Sequence, residues 1–139
     1  KNKANSTGWS FFMEFFMYQI SEELEQIAAE VLRLCPDLEA NNATIAYMQS
    51  DKAKRSGNKK IYADCHKIGD RESVLCGYDF IITFYRDSIG ITPEATDLLM
   101  LHELLHVGCD ESGRKRIVPH DLEDFRQIVE EHGVNWIES

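Results

Sequence analysis

Residues 102–108 read HELLHVG, and His-Glu-x-x-His is a spacing that can hold a metal ion. Positions four apart on a helix lie about 400° round, so His102 and His106 project from nearly the same face, one turn apart. Two imidazoles placed in this way can reach one tetrahedral ion, and zinc suits such donors. Glu103, roughly 100° round from His102, can approach a water on that ion without being a ligand. Zinc lowers the pKa of its water to about 7 and polarises a carbonyl. A neighbouring carboxylate can then take the water's proton and pass it to a leaving amine. The pattern points to hydrolysis with Glu103 as general base, provided that a third ligand exists.

His120 is the candidate for that ligand. It lies fourteen residues after His106, in VPHDLEDF, behind a loop long enough to turn the chain back. Asp121 suits the N-cap of the helix that follows, or an acceptor that orients an imidazole. Asp110 and Glu111 come so soon after the helix that they rank behind His120. His66 reads as an exposed strand histidine, and His132 as a helix C-terminal residue favoured by the dipole. Cys109 reads as a small buried apolar residue; as a ligand it would close the site and make it structural. A metzincin would carry its third histidine at position 112, which is serine, and no methionine follows Met100 to form a Met-turn. The same serine excludes the bacterial endoribonuclease signature, and VLCGYDF does not resemble the cysteine motif of a peptide deformylase.

These side chains need elements to hold them. In ITPEATDLLMLHELLHVG, Thr92 suits an N-cap, Pro93 the first helical position, Glu94 the helix dipole and Gly108 the terminus, so a helix is predicted over 93–107. Leucines make it apolar almost all round, hence buried. Three polar groups suit such a face poorly unless they have a task. Ser21 predicts the start of an amphipathic helix bearing Leu24, Ile27, Ala28, Val31 and Leu32, which Cys35-Pro36 stops. ATIAYMQ (43–49) reads as a strand and SDKAKRSGNKK (50–60) as an exposed basic loop. IYADCHKI (61–68) and YDFIITFYRD (78–87) read as antiparallel strands joined around GDRES. A loop over 109–119 leads to a last helix with Leu122, Phe125, Ile128 and Val129 inward and Gly133 at its end.

The expected fold class is α+β, with a small, mostly antiparallel sheet packed against a leading helix, the buried HExxH helix and a C-terminal helix. A length of 139 residues suits one domain, placed at 21–139, behind an apolar segment at 1–20. WSFFMEFFMYQI (9–20) is too short to span a bilayer, carries Glu14 and lacks a cleavage site, so neither a membrane span nor a signal peptide is expected. It could instead pack on the domain or on a second copy, giving a homo-oligomer. Met13 could be the natural start, leaving residues 1–12 outside the native chain. Fifteen basic against 24 acidic residues give a net charge of −9, which disfavours nucleic acid as the main partner. Arg114-Lys115-Arg116 could hold an anion locally but reads as a solvated run. Cys35, Cys65, Cys76 and Cys109 form no CxxC pair and no evident disulfide framework, which predicts reduced thiols and a cytoplasmic setting. The sequons at Asn5 and Asn42 are too short a signal to outweigh this.

At HELLHVG and VPHDLEDF the chain resembles the metallopeptidases encoded in phages and prophages. The likeness extends more loosely to YDFIITFYRD and EEHGVNW, covering roughly residues 60–137. It implies His102, His106 and His120 as zinc ligands, Glu103 as the catalytic residue and a peptide or protein as substrate. More distantly the layout is similar to SprT-like zincins, some of which cut proteins bound to DNA; the acidic balance speaks against that role here. The zincin likeness implies that an edge strand, YDFIITFYRD or IYADCHKI, pairs with an extended substrate backbone. Two rival expectations are a zinc-binding regulatory module without turnover and a zinc hydrolase of non-peptide amides. A closed four-ligand site, or a cleft plugged by residues 9–20, would favour the first.

Overall fold

A computed structural model describes residues 17–88 and 90–119 of the chain. The Ser21 hydroxyl accepts a hydrogen bond from the Leu24 backbone N–H at 3.1 Å. This satisfies one of the donors that a helix start leaves open. Helix α1 (Glu22–Leu34) follows, with Glu22, Glu23 and Glu25 at its positive end and Leu24, Ala28 and Val31 buried. Beyond a 3-10 turn at Glu39–Asn42 the chain enters strand β2 (Ile45–Ser50), preceded in sequence by the short strand β1 (Tyr18–Ile20).

Four strands form the main sheet, in the order β1, β2, β6 (Phe80–Phe84), β5 (Ala63–Lys67). β1 and β2 are antiparallel, with Tyr18 opposite Ser50; β2 and β6 are parallel, with Ile45 opposite Phe80; β5 and β6 are antiparallel, with Ala63 opposite Phe84. Because side chains alternate across a strand, Ile45, Tyr47, Phe80, Ile82 and Phe84 share one face. That face meets α1 and the helix α3 (Pro93–Leu104), whose Leu99, Met100 and Leu104 complete the core. Phe80, Ile82, Met100 and Leu104 have no exposed surface, and each fully buried side chain of this kind stabilises the fold by about 1.5–3 kcal/mol. Among the described residues the fold is α+β, with three helices and a small, mostly antiparallel sheet.

The structure changes several sequence expectations. The basic stretch 50–60 is not a plain loop. It forms a hairpin, β3 (Lys54–Ser56) with β4 (Lys59–Ile61), turned by Gly57 at φ 63°. Glycine adopts this left-handed conformation at little cost. The connection around GDRES contains a short exposed helix, α2 (Asp70–Cys76). Of the two strands considered for the sheet edge, YDFIITFYRD contributes the interior strand β6, and IYADCHKI contributes the edge strand β5. Residues 18–20 extend the sheet as β1 rather than lying on it as a packed apolar segment.

The HExxH helix also ends earlier than predicted. α3 stops at Leu104, and the chain turns into β7 (Val107–Cys109), which pairs with β8 (Lys115–Ile117) across the expected 109–119 loop. Gly108 therefore does not cap a helix. Its role is close packing, because a Cβ there would sit 2.5 Å from the Val118 Cγ2 atom. The predicted C-terminal helix, with His120, Asp121 and His132, lies outside the described residues, as do residues 1–16.

Candidate metal centre and active-site cleft

Thr92 opens α3 as expected: its hydroxyl accepts from the Ala95 backbone N–H at 3.1 Å, and Pro93 occupies the first turn. The helix carries His102 and Glu103 in its last turn. His106 sits just beyond, in a tightened turn where its own N–H donates to the Glu103 carbonyl at 3.1 Å. Helical geometry persists far enough for the two rings to converge, with centroids 5.3 Å apart and planes inclined at 61°.

Val118 holds His106 from the other side. Its backbone N–H donates to the His106 carbonyl at 2.7 Å, and its carbonyl lies 2.7 Å from His106 Nδ1. A carbonyl can only accept, so Nδ1 carries a proton, and the tautomer this contact selects has its lone pair on Nε2. This is how a metal-binding histidine is commonly oriented. The sequence suggested Asp121 for such a task; a backbone carbonyl, invisible to residue-type reasoning, does it for His106.

These residues line a cleft of about 590 Å³. His102, Glu103, His106 and Leu99 come from the helix side, Tyr62, Ala63, Asp64 and Cys65 from β5 and its approach, Lys54, Ser56, Lys60 and Ile61 from the β3–β4 hairpin, and Ile117 and Pro119 from the end of β8. The edge strand β5 thus faces the two histidines across the opening.

Glu103 is only 4% exposed. Burial, and secondarily the negative charge of Asp64, push its carboxyl up to about 8, with Lys54 acting in the opposite direction. Asp64 accepts from the Tyr85 phenol at 2.8 Å and pairs with the Lys54 ammonium, which itself lies 5.2 Å from the centre of the Tyr85 ring. Sequence reasoning passed over Asp64, Lys54 and Tyr85. The available signal was an aspartate inside a strand run, where aspartate is depleted. Burial, followed by the charge of Glu103, pushes the Cys65 thiol up to about 12, so it remains protonated in the cleft at neutral pH.

The other sequence candidates stand apart. His66 is exposed on β5 and does not line this cleft. Cys109 is half-buried in β7, where its backbone N–H donates to Glu39 Oε1 at 2.8 Å, and it too is absent from the cleft wall. Asp110 is engaged in the β7–β8 turn, accepting from Ser112 N–H at 2.9 Å, Ser112 hydroxyl at 2.7 Å and Arg114 N–H at 2.9 Å. Those bonds hold its carboxyl below the usual range. Glu111 is exposed in the same turn. Arg114 of the basic run pairs with Asp70 at 3.0 Å.

Among the described residues, no group of three or more His, Cys, Asp or Glu side chains is placed to hold a metal ion. The described part of the site thus offers two imidazoles and a buried carboxylate. No helix among the described residues is long and apolar enough to cross a membrane.

No curated protein and no solved structure matches the chain. A family model does, over residues 16–138, nearly the whole length. Its coverage takes in the sheet, the hairpins and the HELLH segment alike. The chain belongs to the family described as "Putative phage metallopeptidase", a family whose name implies a metal ion and peptide hydrolysis.

Proposed function

We propose that the chain is a zinc-dependent peptidase in which His102, His106 and His120 hold the metal and Glu103 is the general base. The observation that carries this reading is the convergence of the His102 and His106 rings beside a buried Glu103, in a cleft open to the strand edge of β5. The donor set fits zinc: two neutral imidazoles, one with its tautomer set by the Val118 carbonyl, leave room for a third protein ligand and a water. His120 suits the third place because Pro119, its neighbour in sequence, already lines the cleft.

When bound, the zinc ion supplies a polarised carbonyl and a water acidic enough to attack near neutral pH. Glu103 takes the proton from the attacking water and delivers it to the amine nitrogen as the peptide bond breaks. Its burial keeps competing water away from that proton, and Val118 keeps His106 from rotating. The edge strand β5 pairs with the extended backbone of the substrate, which fixes the scissile bond against the helix. In its arrangement of edge strand and HExxH helix the site is zincin-like.

Zinc content of the purified chain and of His120→Ala, after brief dialysis against a weak chelator, tests the ligand set. One zinc per parent chain with marked loss in the variant is expected, together with peptide cleavage that Glu103→Gln abolishes. Equal retention in both would remove His120 from the site, and absence of zinc from the parent would sink the reading.

A further inference from the structure

The β3–β4 hairpin has a charge opposite to that of the chain as a whole. Between Lys52 and Lys60 stand five of the fifteen lysines and arginines and no acidic residue, in a protein of net charge −9. Every residue from 52 to 60 is exposed. Lys54 is engaged with Asp64. Among the described residues, Lys52, Arg55, Lys59 and Lys60 take part in no ion pair. The ladder also sets Arg55 directly opposite Lys60. Like charges opposed across a strand pair are destabilising, so nothing in the hairpin's own folding favours this arrangement.

The hairpin is a wall of the cleft. Lys54, Ser56, Lys60 and Ile61 line it, across from His102 and Glu103. We propose that β3–β4 is a substrate-recognition wall that selects acidic side chains on the peptide lying across the cleft. The inference rests on the peptidase reading and adds a substrate class to it.

An acidic peptide suits the site better than a nucleic acid does. The cleft offers β5, which among the described residues is an edge strand, and apolar side chains such as Leu99 and Ile117, which match an extended peptide. A short acidic segment senses mainly the cations within about 10 Å, whereas a long polyanion also meets the repulsion of the chain's net negative charge.

The test is fluorescence anisotropy with the full chain carrying Glu103→Gln, so that bound peptide is not cut. The probes are a short labelled Glu/Ala peptide, its Lys/Ala counterpart and a single-stranded oligonucleotide. Exposed ion pairs contribute roughly 1.5- to 5-fold each, so Arg55, Lys59 and Lys60 together should favour the acidic peptide about tenfold at low salt. That preference should fade at ~0.5 M salt, where the screening length falls to a few ångströms. Adding Arg55→Glu, Lys59→Glu and Lys60→Glu together should invert the preference, and the corresponding Gln changes should erase it, with circular dichroism unaltered. Equal binding of the two peptides, or a preference surviving in the Gln variant, would overturn the proposal; so would tighter binding of the oligonucleotide, which would make the hairpin a nucleic-acid surface. Turnover by the unaltered chain separates the two readings. Cleavage of both peptides at equal kcat/KM overturns the acidic selection and leaves the peptidase standing. Acid-selective binding without cleavage of any peptide removes the peptidase and leaves the recognition wall.

Discussion

Replacing Glu103 by glutamine should stabilise the metal-free protein, and by more at high pH than at low. The carboxyl is buried beside Asp64, which raises its folded-state value from 4.5 to about 8. The native state therefore keeps a proton that the unfolded chain releases near 4.5. Between these two values the native state binds more protons, so stability falls as pH rises; above about 8 the loss is complete. A shift of this size corresponds to at most about 5 kcal/mol, at 1.36 kcal/mol per unit. Relaxation and water entry reduce it, leaving on the order of 2–4 kcal/mol. Glutamine cannot ionise, so the variant escapes this loss. Urea unfolding of both proteins with a chelator present, at about pH 5 and about pH 9, isolates the effect because the other titrating groups cancel in the difference. The variant's advantage should grow by the stated amount across that interval. Saturating zinc should shrink it, since a nearby cation favours the carboxylate. An advantage that is the same at both pH values would refute the reasoning, because it would mean that Glu103 ionises in the fold as readily as in the unfolded chain.

Three further outcomes are expected. Gly108→Ala places a Cβ 2.5 Å from Val118, whose backbone clamps His106, so it should cost about 1–3 kcal/mol in urea unfolding and hasten zinc loss to a chelator. Ser21→Ala removes the N-cap bond to Leu24 and should lower stability by about 1 kcal/mol, with zinc content unchanged. His66→Ala should leave zinc content as it is, because this histidine is exposed on β5 and outside the cleft; loss of zinc there would reassign a ligand.

Much of this molecule is written locally. Ser21 and Thr92 cap helices with their own hydroxyls, Pro93 fits the first turn, and the apolar rhythm of 24–32 marks one buried stripe, all matters settled within a few residues of chain. The pairing of His102 with His106 belongs to the same class, since four residues make one helical turn. Strand existence over 45–50, 63–67 and 80–84 was likewise legible from β-branched and aromatic runs.

What the sequence could not determine depends on partners distant along the chain. Which strand forms the sheet edge follows from pairing order: among the described residues β6 lies between β2 and β5, whereas β5 pairs with β6 alone. Helix α3 ends at Leu104 rather than at Gly108 because β8 returns to pair with Val107–Cys109, a contact that outweighs the local tendency to continue the helix. The tautomer of His106 depends on a carbonyl twelve residues away. The protonation of Glu103 depends first on the exclusion of water by the surrounding core, and then on the charge of Asp64, which comes from another element. Residue types and spacing thus singled out His102, His106 and Glu103 as the candidates for metal binding and for the base. Tertiary packing set the orientation of His106 and the protonation of Glu103, because electrostatics and burial depend on distance in space and not on separation along the chain.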